Sequence, residues 1–182
     1  MYFSTFVVRR AVAEDSALLA SIGARTFRDT FAAENDPDDL ERYISDAFAP
    51  ETLAAELAAP GATFLLAYDE ALNRDRPVGY AKLLAGRADD SVRGPTPVEL
   101  VRLYVEADAI GGGYGAALMQ ACLDEAARGG FETLWLGVWE QNQRARRFYE
   151  RWGFTAVGVH DFVIGRDVQT DIVMERPVNQ AS

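Results

Sequence analysis

The stretch Glu99-Leu100-Val101-Arg102-Leu103-Tyr104-Val105-Glu106-Ala107-Asp108-Ala109-Ile110-Gly111-Gly112-Gly113-Tyr114-Gly115 passes from an apolar, strand-like run through a glycine cluster into a helix-forming segment. That order suits an anion. The first residues of a helix carry backbone N–H groups with no intrahelical partner, and the helix dipole adds partial positive charge at the same end, so phosphate oxygens settle there. Glycines let the main chain approach the phosphates and take positive φ where the turn demands it. Gly111, Gly112, Gly113 and Gly115 therefore read as a pyrophosphate cradle.

Two well-known cradles do not fit. A P-loop ends in Gly-Lys-Ser/Thr, whereas Gly113-Tyr114-Gly115-Ala116 has neither the lysine nor the hydroxyl. A dinucleotide fold places its glycine turn after the first strand of a βαβ half and an acidic ribose ligand about twenty residues on. Glu132 lies near that spacing, but only one further strand-then-helix unit follows.

Outward from this point, the chain alternates between the two structural periods. Upstream, Phe6 to Ala11 reads as a strand, and Ser16 to Phe31 as an amphipathic helix behind Asp15, with a break expected near Gly23. Asp36-Pro37 and Ala49-Pro50 each restart a helix, and Pro60-Gly61 ends the last of them. Thr63 to Tyr68 and Val78 to Leu84 form a hairpin across a polar turn that contains Asn73 and Asp75, and Gly86 to Pro97 is a second polar loop. Downstream, Tyr114 to Arg128 is a helix stopped by Gly129-Gly130, followed by a strand (Thr133 to Val138), a helix (Asn142 to Trp152) and two strands (Thr155 to Val163, Thr170 to Met174). The expectation is one α/β domain over residues 1–182 with a mixed sheet, parallel where the strands flanking the Tyr114 helix meet.

The totals narrow the class. With 182 residues, 49% apolar and 25% charged, the chain can form a single globular core. The net charge of -10 disfavours nucleic acid and anionic membranes and favours cationic partners. One cysteine, Cys122, excludes an internal disulfide and reads as a buried core thiol. There is no secretory signal, no apolar run of membrane-spanning length, and no Cys/His or carboxylate cluster with metal spacing, so a cytoplasmic protein without a metal is expected.

Ile110-Gly111-Gly112-Gly113-Tyr114-Gly115 resembles motif A, Q/R-x-x-G-x-G/A, of the GCN5-related N-acetyltransferases (the GNAT family), with Ile110 where the family has Gln or Arg. Leu134 to Glu140, followed by Asn142-x-x-Ala145-x-x-Phe148-Tyr149 and Gly153-Phe154, resembles motif B of the same family. The resemblance implies the GNAT fold, a mixed sheet of about seven strands with helices on both faces, and acetyl-CoA as the acyl donor. It further implies that the Glu99 and Thr133 strands splay apart. Leu103, Tyr104 and Val105 would then pair with the pantetheine amides, and amides from Ile110 to Ala116 would hold the pyrophosphate. The loss of a polar side chain at Ile110 weakens binding without abolishing it. Thr26-Phe27-x-Asp29-Thr30-Phe31, Asn35-x-Pro37, Trp135 to Glu140, His160-x-Phe162-x-x-Gly165 and Gln169-Thr170-Asp171 are similar to the PaiA-like polyamine N-acetyltransferases, which implies spermidine or spermine as acceptor.

Attack of an amine on a thioester needs a base, because only about one primary amine in 10³ is neutral at pH 7. Glu99 stands eleven residues before Ile110, the offset at which some family members place that base, and at period two it shares a face with Val101 and Leu103. Partly buried, it would accept a proton directly or through water; the other role open to it is an ion pair with Arg102. Ala145, Phe148, Tyr149 and Trp152 make a helical stripe from which the Tyr149 hydroxyl can donate to the departing thiolate. Asn142 is either the helix N-cap or a cofactor contact. Phe27 and Phe31, with Asp29, Glu34, Asp36, Asp38, Asp39 and the Asp89-Asp90 loop, suit a polycation, and His160 either serves the acceptor end or is a structural hydrogen-bonder. Other acceptors remain open: protein N-termini, lysines, another small amine. So do a homodimer and a CoA-binding regulatory module without turnover.

Overall fold

The computed structural model describes residues 6–69 and 76–179, so Asn73 and Asp75 lie outside the described residues. Along the chain run β1 (Phe6–Arg10), a 3-10 turn (Ala13–Asp15), α1 (Ser16–Phe31), α2 (Pro37–Ala47), α3 (Pro50–Ala58), β2 (Ala62–Asp69), β3 (Gly79–Ala85) and β4 (Pro97–Val105). A second 3-10 turn (Ala107–Ala109) leads to α4 (Tyr114–Arg128), β5 (Thr133–Trp139), α5 (Gln143–Arg151), β6 (Thr155–Ile164) and β7 (Asp167–Pro177). The strands form one seven-stranded sheet in the order β1-β2-β3-β4-β5-β7-β6. Every neighbouring pair is antiparallel except β4 and β5, which are parallel and joined through α4. This is the GNAT fold.

Alternation along the strands separates two cores. Leu65, Ala67, Ala81 and Leu83 face Leu118, Met119 and Cys122 of α4, with Tyr149 and Phe148 of α5 beside them. Phe64, Leu66, Tyr68 and Tyr80 face Leu19, Ile22 and Phe27 of α1, Leu40 and Ile44 of α2 and Leu53 of α3. Both sheet faces are thus covered, as a sheet with a parallel crossover requires.

Three local expectations are refined. α1 runs unbroken through Gly23. A Cβ there would fall 2.4 Å from Phe48 Cδ1, so the glycine makes room for an aromatic ring and does not end the helix. β7 extends three residues further at each end than the sequence suggests and sits between β5 and β6. The third change concerns β4, where Lys82 pairs with Arg102 but Leu83 with Leu100, leaving Val101 as an extra, bulged residue. A bulge shifts the alternation by one, so Glu99 shares its face with Arg102 and Tyr104, not with Val101 and Leu103. That face is the one covered by α1, α2 and α3.

Candidate functional site

Only Pro97, Val98 and Glu99 of β4 pair with β5, opposite Thr133, Leu134 and Trp135. Beyond Glu99 the two strands diverge, while β4 stays paired with β3 up to Val105 and β5 with β7 up to Trp139. Main-chain groups of β4 that point toward β5 therefore face an open wedge, and such groups need a partner. A cleft of about 730 Å³ occupies that wedge. Leu103, Tyr104 and Val105 form its β4 wall, and Gly137, Val138 and Trp139 its β5 wall.

At the wide end the cleft reaches the glycine turn. Gly111 and Gly113 hold φ of 92° and 90°, the left-handed region that a side chain resists. The first intrahelical bond of α4 runs from the Ala117 N–H to the Gly113 carbonyl, so the amides of Gly115 and Ala116 precede the helix ladder. Gly111, Gly113, Gly115 and Ala116 line the cleft, as does Ile110 at 44% exposure. Two expected members are placed differently. The Gly112 N–H donates to the Ala109 carbonyl, and a Cβ on Gly112 would strike the Tyr114 ring, so this glycine closes the turn from behind. The Tyr114 side chain turns inward, donates its hydroxyl to Asp69 and packs on Phe6, anchoring the start of α4 to the sheet. Arg144 and Arg151 of α5, to which the sequence reading gave no role, also line the cleft and bring positive charge to this face.

Asn142 caps α5 and also lies on the cleft wall. Its Oδ1 accepts from the Ala145 amide at 3.1 Å as the N-cap of α5, and the residue lies on the cleft wall, where its Nδ2 donors are the atoms left for a ligand. Two turns on, Tyr149 reaches the cleft from the α4/α5 face, packed edge-on against Phe148 and Phe154 and only 9% exposed. Burial, with a smaller push from Cys122, raises its hydroxyl pKa well above the ordinary tyrosine value, so the phenol stays protonated and can donate. Cys122 is itself buried in the core, as expected, with its thiol pKa pushed up by desolvation.

From the opposite face the cleft is walled by aromatic rings: Phe27 and Phe31 of α1, Tyr43 and Phe48, and Trp139 and Phe162. Phe27 and Phe31 have ring centroids 4.4 Å apart, Phe27 stacks on Tyr43 at 5.0 Å, and Phe31 meets Trp139 at 5.8 Å. Of the acidic residues singled out in the sequence, Asp29 lines this wall and the others lie elsewhere. Asp36 caps α2 through the Asp38 and Asp39 amides, and Asp39 faces Arg42 and Arg166 outside the cleft. Asp89 is hydrogen-bonded to Ser91 and to His160.

Arg102 does not pair with Glu99. Its guanidinium holds Glu56 through two bonds, at 2.7 and 3.1 Å, and Lys82 Nζ adds a third at 2.8 Å. Burial alone would raise the Glu56 pKa; the two cations overcome it and hold the carboxyl below its usual range. Glu99 stands at the closed end of the wedge, behind the residues that line the cleft, and burial raises its pKa against the pull of Arg87, His160 and Lys82. Asp171 of β7, which had no role in the sequence reading, does line the cleft. Two signals were available: aspartate is uncommon inside strands, and Gly137 interrupts an otherwise apolar buried strand.

A wedge between two parallel strands, with a glycine turn and a helix N-terminus at its wide end, suits an extended ligand that completes the sheet and carries an anionic group at one end. Residues 13–154 match the model of the acetyltransferase (GNAT) family, and the chain belongs to that family. It is 32% identical over 157 residues to an uncharacterized N-acetyltransferase of Lactobacillus delbrueckii subsp. lactis, covering 86% of this chain and 88% of that one. With an uncharacterized N-acetyltransferase of Mycobacterium tuberculosis it shares 35% over 162 residues, 89% of this chain and 97% of the other. Among solved structures, the PaiA N-acetyltransferase of Thermoplasma acidophilum in complex with coenzyme A superposes with a TM-score of 0.75 at 21% identity, over 95% of this chain and 99% of that one. The protein is an acetyl-CoA-dependent N-acetyltransferase of the GNAT type.

Proposed function

We propose that this enzyme acetylates a primary amine by direct attack, and that the amine is a polyamine such as spermidine or spermine. The observation that carries the acceptor reading is the aromatic wall of Phe27, Phe31, Tyr43 and Trp139, with the carboxylates of Asp29 and Asp171 beside it. Rings attract alkylammonium groups through their faces, and the carboxylates supply countercharge. Arg102 on the same wall turns its guanidinium to Glu56, which it shares with Lys82, so its donors are engaged away from the acceptor. The overall charge of -10 draws polycations toward the molecule. Similarity to a PaiA N-acetyltransferase over nearly the whole chain is in keeping with this reading.

In this scheme the carrier supplies a thioester, and the chain's own groups do the rest. Main-chain groups of Leu103, Tyr104 and Val105 orient the carrier, and the amides of Gly111, Gly113, Gly115 and Ala116 hold its phosphates. Tyr149 gives a proton to the departing sulfur. Glu99, set back from the cleft, reaches the amine only through a bridging water. Free-thiol release from acetyl-CoA, followed with spermidine, spermine, free lysine and short peptides with open N-termini, tests the acceptor. Turnover of the polyamines with the highest kcat/KM supports the reading; turnover of peptides alone overturns it.

A further inference from the structure

Gly137 occupies the middle of β5, and a Cβ built on it falls 2.9 Å from His160 Nε2 and 3.2 Å from Asp171 Oδ2. The imidazole edge and the carboxylate thus fill the space a side chain would take, over the main chain of the strand that walls the cleft. His160 and Asp171 are cross-strand partners on β6 and β7, and Asp171 sits opposite Trp139 of β5. Ile172 and Met174 pack into the α4/α5 core, so Asp171 points to the other face, that of the aromatic wall. Its side chain is 15% exposed.

Behind this pair stands Asp89. Hydrogen bonds from the Ser91 hydroxyl and amide, and then from His160, keep its carboxyl below the ordinary range, so it is an anionic acceptor. His160 Nδ1 lies 3.1 Å from Asp89 Oδ2, which places the ring proton on Nδ1 and leaves Nε2 of the neutral ring as a bare acceptor turned toward Asp171, 3.8 Å away. The other titratable or charged groups around this spot are Tyr43 from α2, Glu99 and Arg102 from β4 and Asp29 from α1. Glu99 is set back from the cleft, Arg102 is bound to Glu56 and Asp29 is exposed at the rim.

We propose that Asp171 takes the proton from the acceptor's ammonium group, and that His160, held by Asp89, positions Asp171 and passes that proton to solvent. The proposal rests on the direct-attack reading above. An ammonium acceptor loses two protons on its way to an amide. Asp171 receives the first, the freed nitrogen lone pair forms the N–C bond to the acetyl carbon, and the C–S bond breaks with its electron pair on sulfur. The second proton leaves nitrogen once that bond has formed and passes through water to the Tyr149 oxygen, which has given its own proton to the sulfur. Base and acid then work from opposite faces of the sheet, through the wedge between β4 and β5.

Burial raises the Asp171 pKa to about 6, and His160 partly offsets that rise. Below that pH Asp171 is protonated and cannot accept, so kcat/KM climbs as pH rises through about 6. The test compares pH profiles of kcat/KM for spermidine in wild type, Asp171→Asn, His160→Gln and Glu99→Gln, with acetyl-CoA affinity by calorimetry as the check on folding. Asp171→Asn is expected to lose roughly 100-fold or more and to lose the limb near pH 6. His160→Gln keeps the limb, because Asp171 remains, but lowers kcat/KM above it, because the proton no longer has a ring to leave by. Because His160 is the only histidine, its ring nitrogens are also read directly by NMR, alongside the aspartate carboxyl carbons. One carboxyl carbon titrating near pH 6, absent from Asp171→Asn, and a proton on Nδ1 support the assignment even if spermidine is not the acceptor. The proposal is overturned if Asp171→Asn stays within about threefold of wild type, if Glu99→Gln removes the limb instead, or if Asp171 titrates in the ordinary carboxylate range.

Discussion

Replacing Tyr149 by phenylalanine removes one oxygen from a ring that is 9% exposed and held edge-on by Phe148 and Phe154. The ring's packing is kept, so the fold and acetyl-CoA affinity should hold, and only the proton for the departing thiolate is lost. A hydrogen bond to a charged group contributes about 1.5–3 kcal/mol, which at the transition state is roughly 10- to 200-fold in rate. Thiol release at saturating acetyl-CoA should show kcat reduced within that range while the acetyl-CoA dissociation constant changes by less than about twofold. The wild type should show no alkaline loss attributable to Tyr149 below pH 10, because burial raises its pKa above the free value. A variant within about threefold of wild-type kcat would refute the assignment of Tyr149 as proton donor to sulfur.

Two further outcomes test the scaffold. Gly23→Ala places a methyl group 2.4 Å from Phe48 Cδ1 and 3.3 Å from the Tyr80 hydroxyl. Overpacking of this kind costs about 1–3 kcal/mol, and better helix propensity returns at most about 1, so thermal unfolding should fall by several degrees; an unchanged or higher Tm would show that the Phe48 ring yields freely. Glu56, held below its usual range by Arg102 and Lys82, stabilises the fold above its unfolded-state pKa, and that contribution is lost as pH falls through its folded value. Urea unfolding should therefore show stability declining below about pH 4.5 in wild type, and Glu56→Gln should flatten that decline while lowering stability at pH 7 by leaving two partly buried cations without their carboxylate.

Much of the fold is written in local signals. The glycine cluster before α4, the Asp36-Pro37 start of α2 and the Asn142 cap of α5 each act over a few residues, and the structure places all three as the sequence suggests. What escaped depends on distant partners. Gly23 looks like a helix break because the Phe48 ring that requires a glycine arrives from the turn between α2 and α3. The face of Glu99 was misassigned because one bulged residue, Val101, is invisible in a run that alternates smoothly. Asp171 acquires meaning only when β7 inserts between β5 and β6, bringing it beside His160 and over Gly137. The scattered carboxylates of α2 showed the reverse error: suggestive in sequence, they serve a helix cap and surface arginines in space.

Among the described residues, three paired positions of β4 and β5, and the bond from the Glu132 N–H to the Thr96 carbonyl just before them, stitch the four-strand plate β1-β2-β3-β4 to the three-strand plate β5-β7-β6 by main-chain contacts. A seam so short is the cheapest line along which the molecule can flex, with α4 spanning it as the covalent strap. A long ligand laid along the open part of the seam behaves as an eighth strand and splints the two plates together. In the proposed binding mode, loading the donor is also a stiffening event, bearing on the distance between Tyr149 on one plate's helix and the rings of α1 on the other.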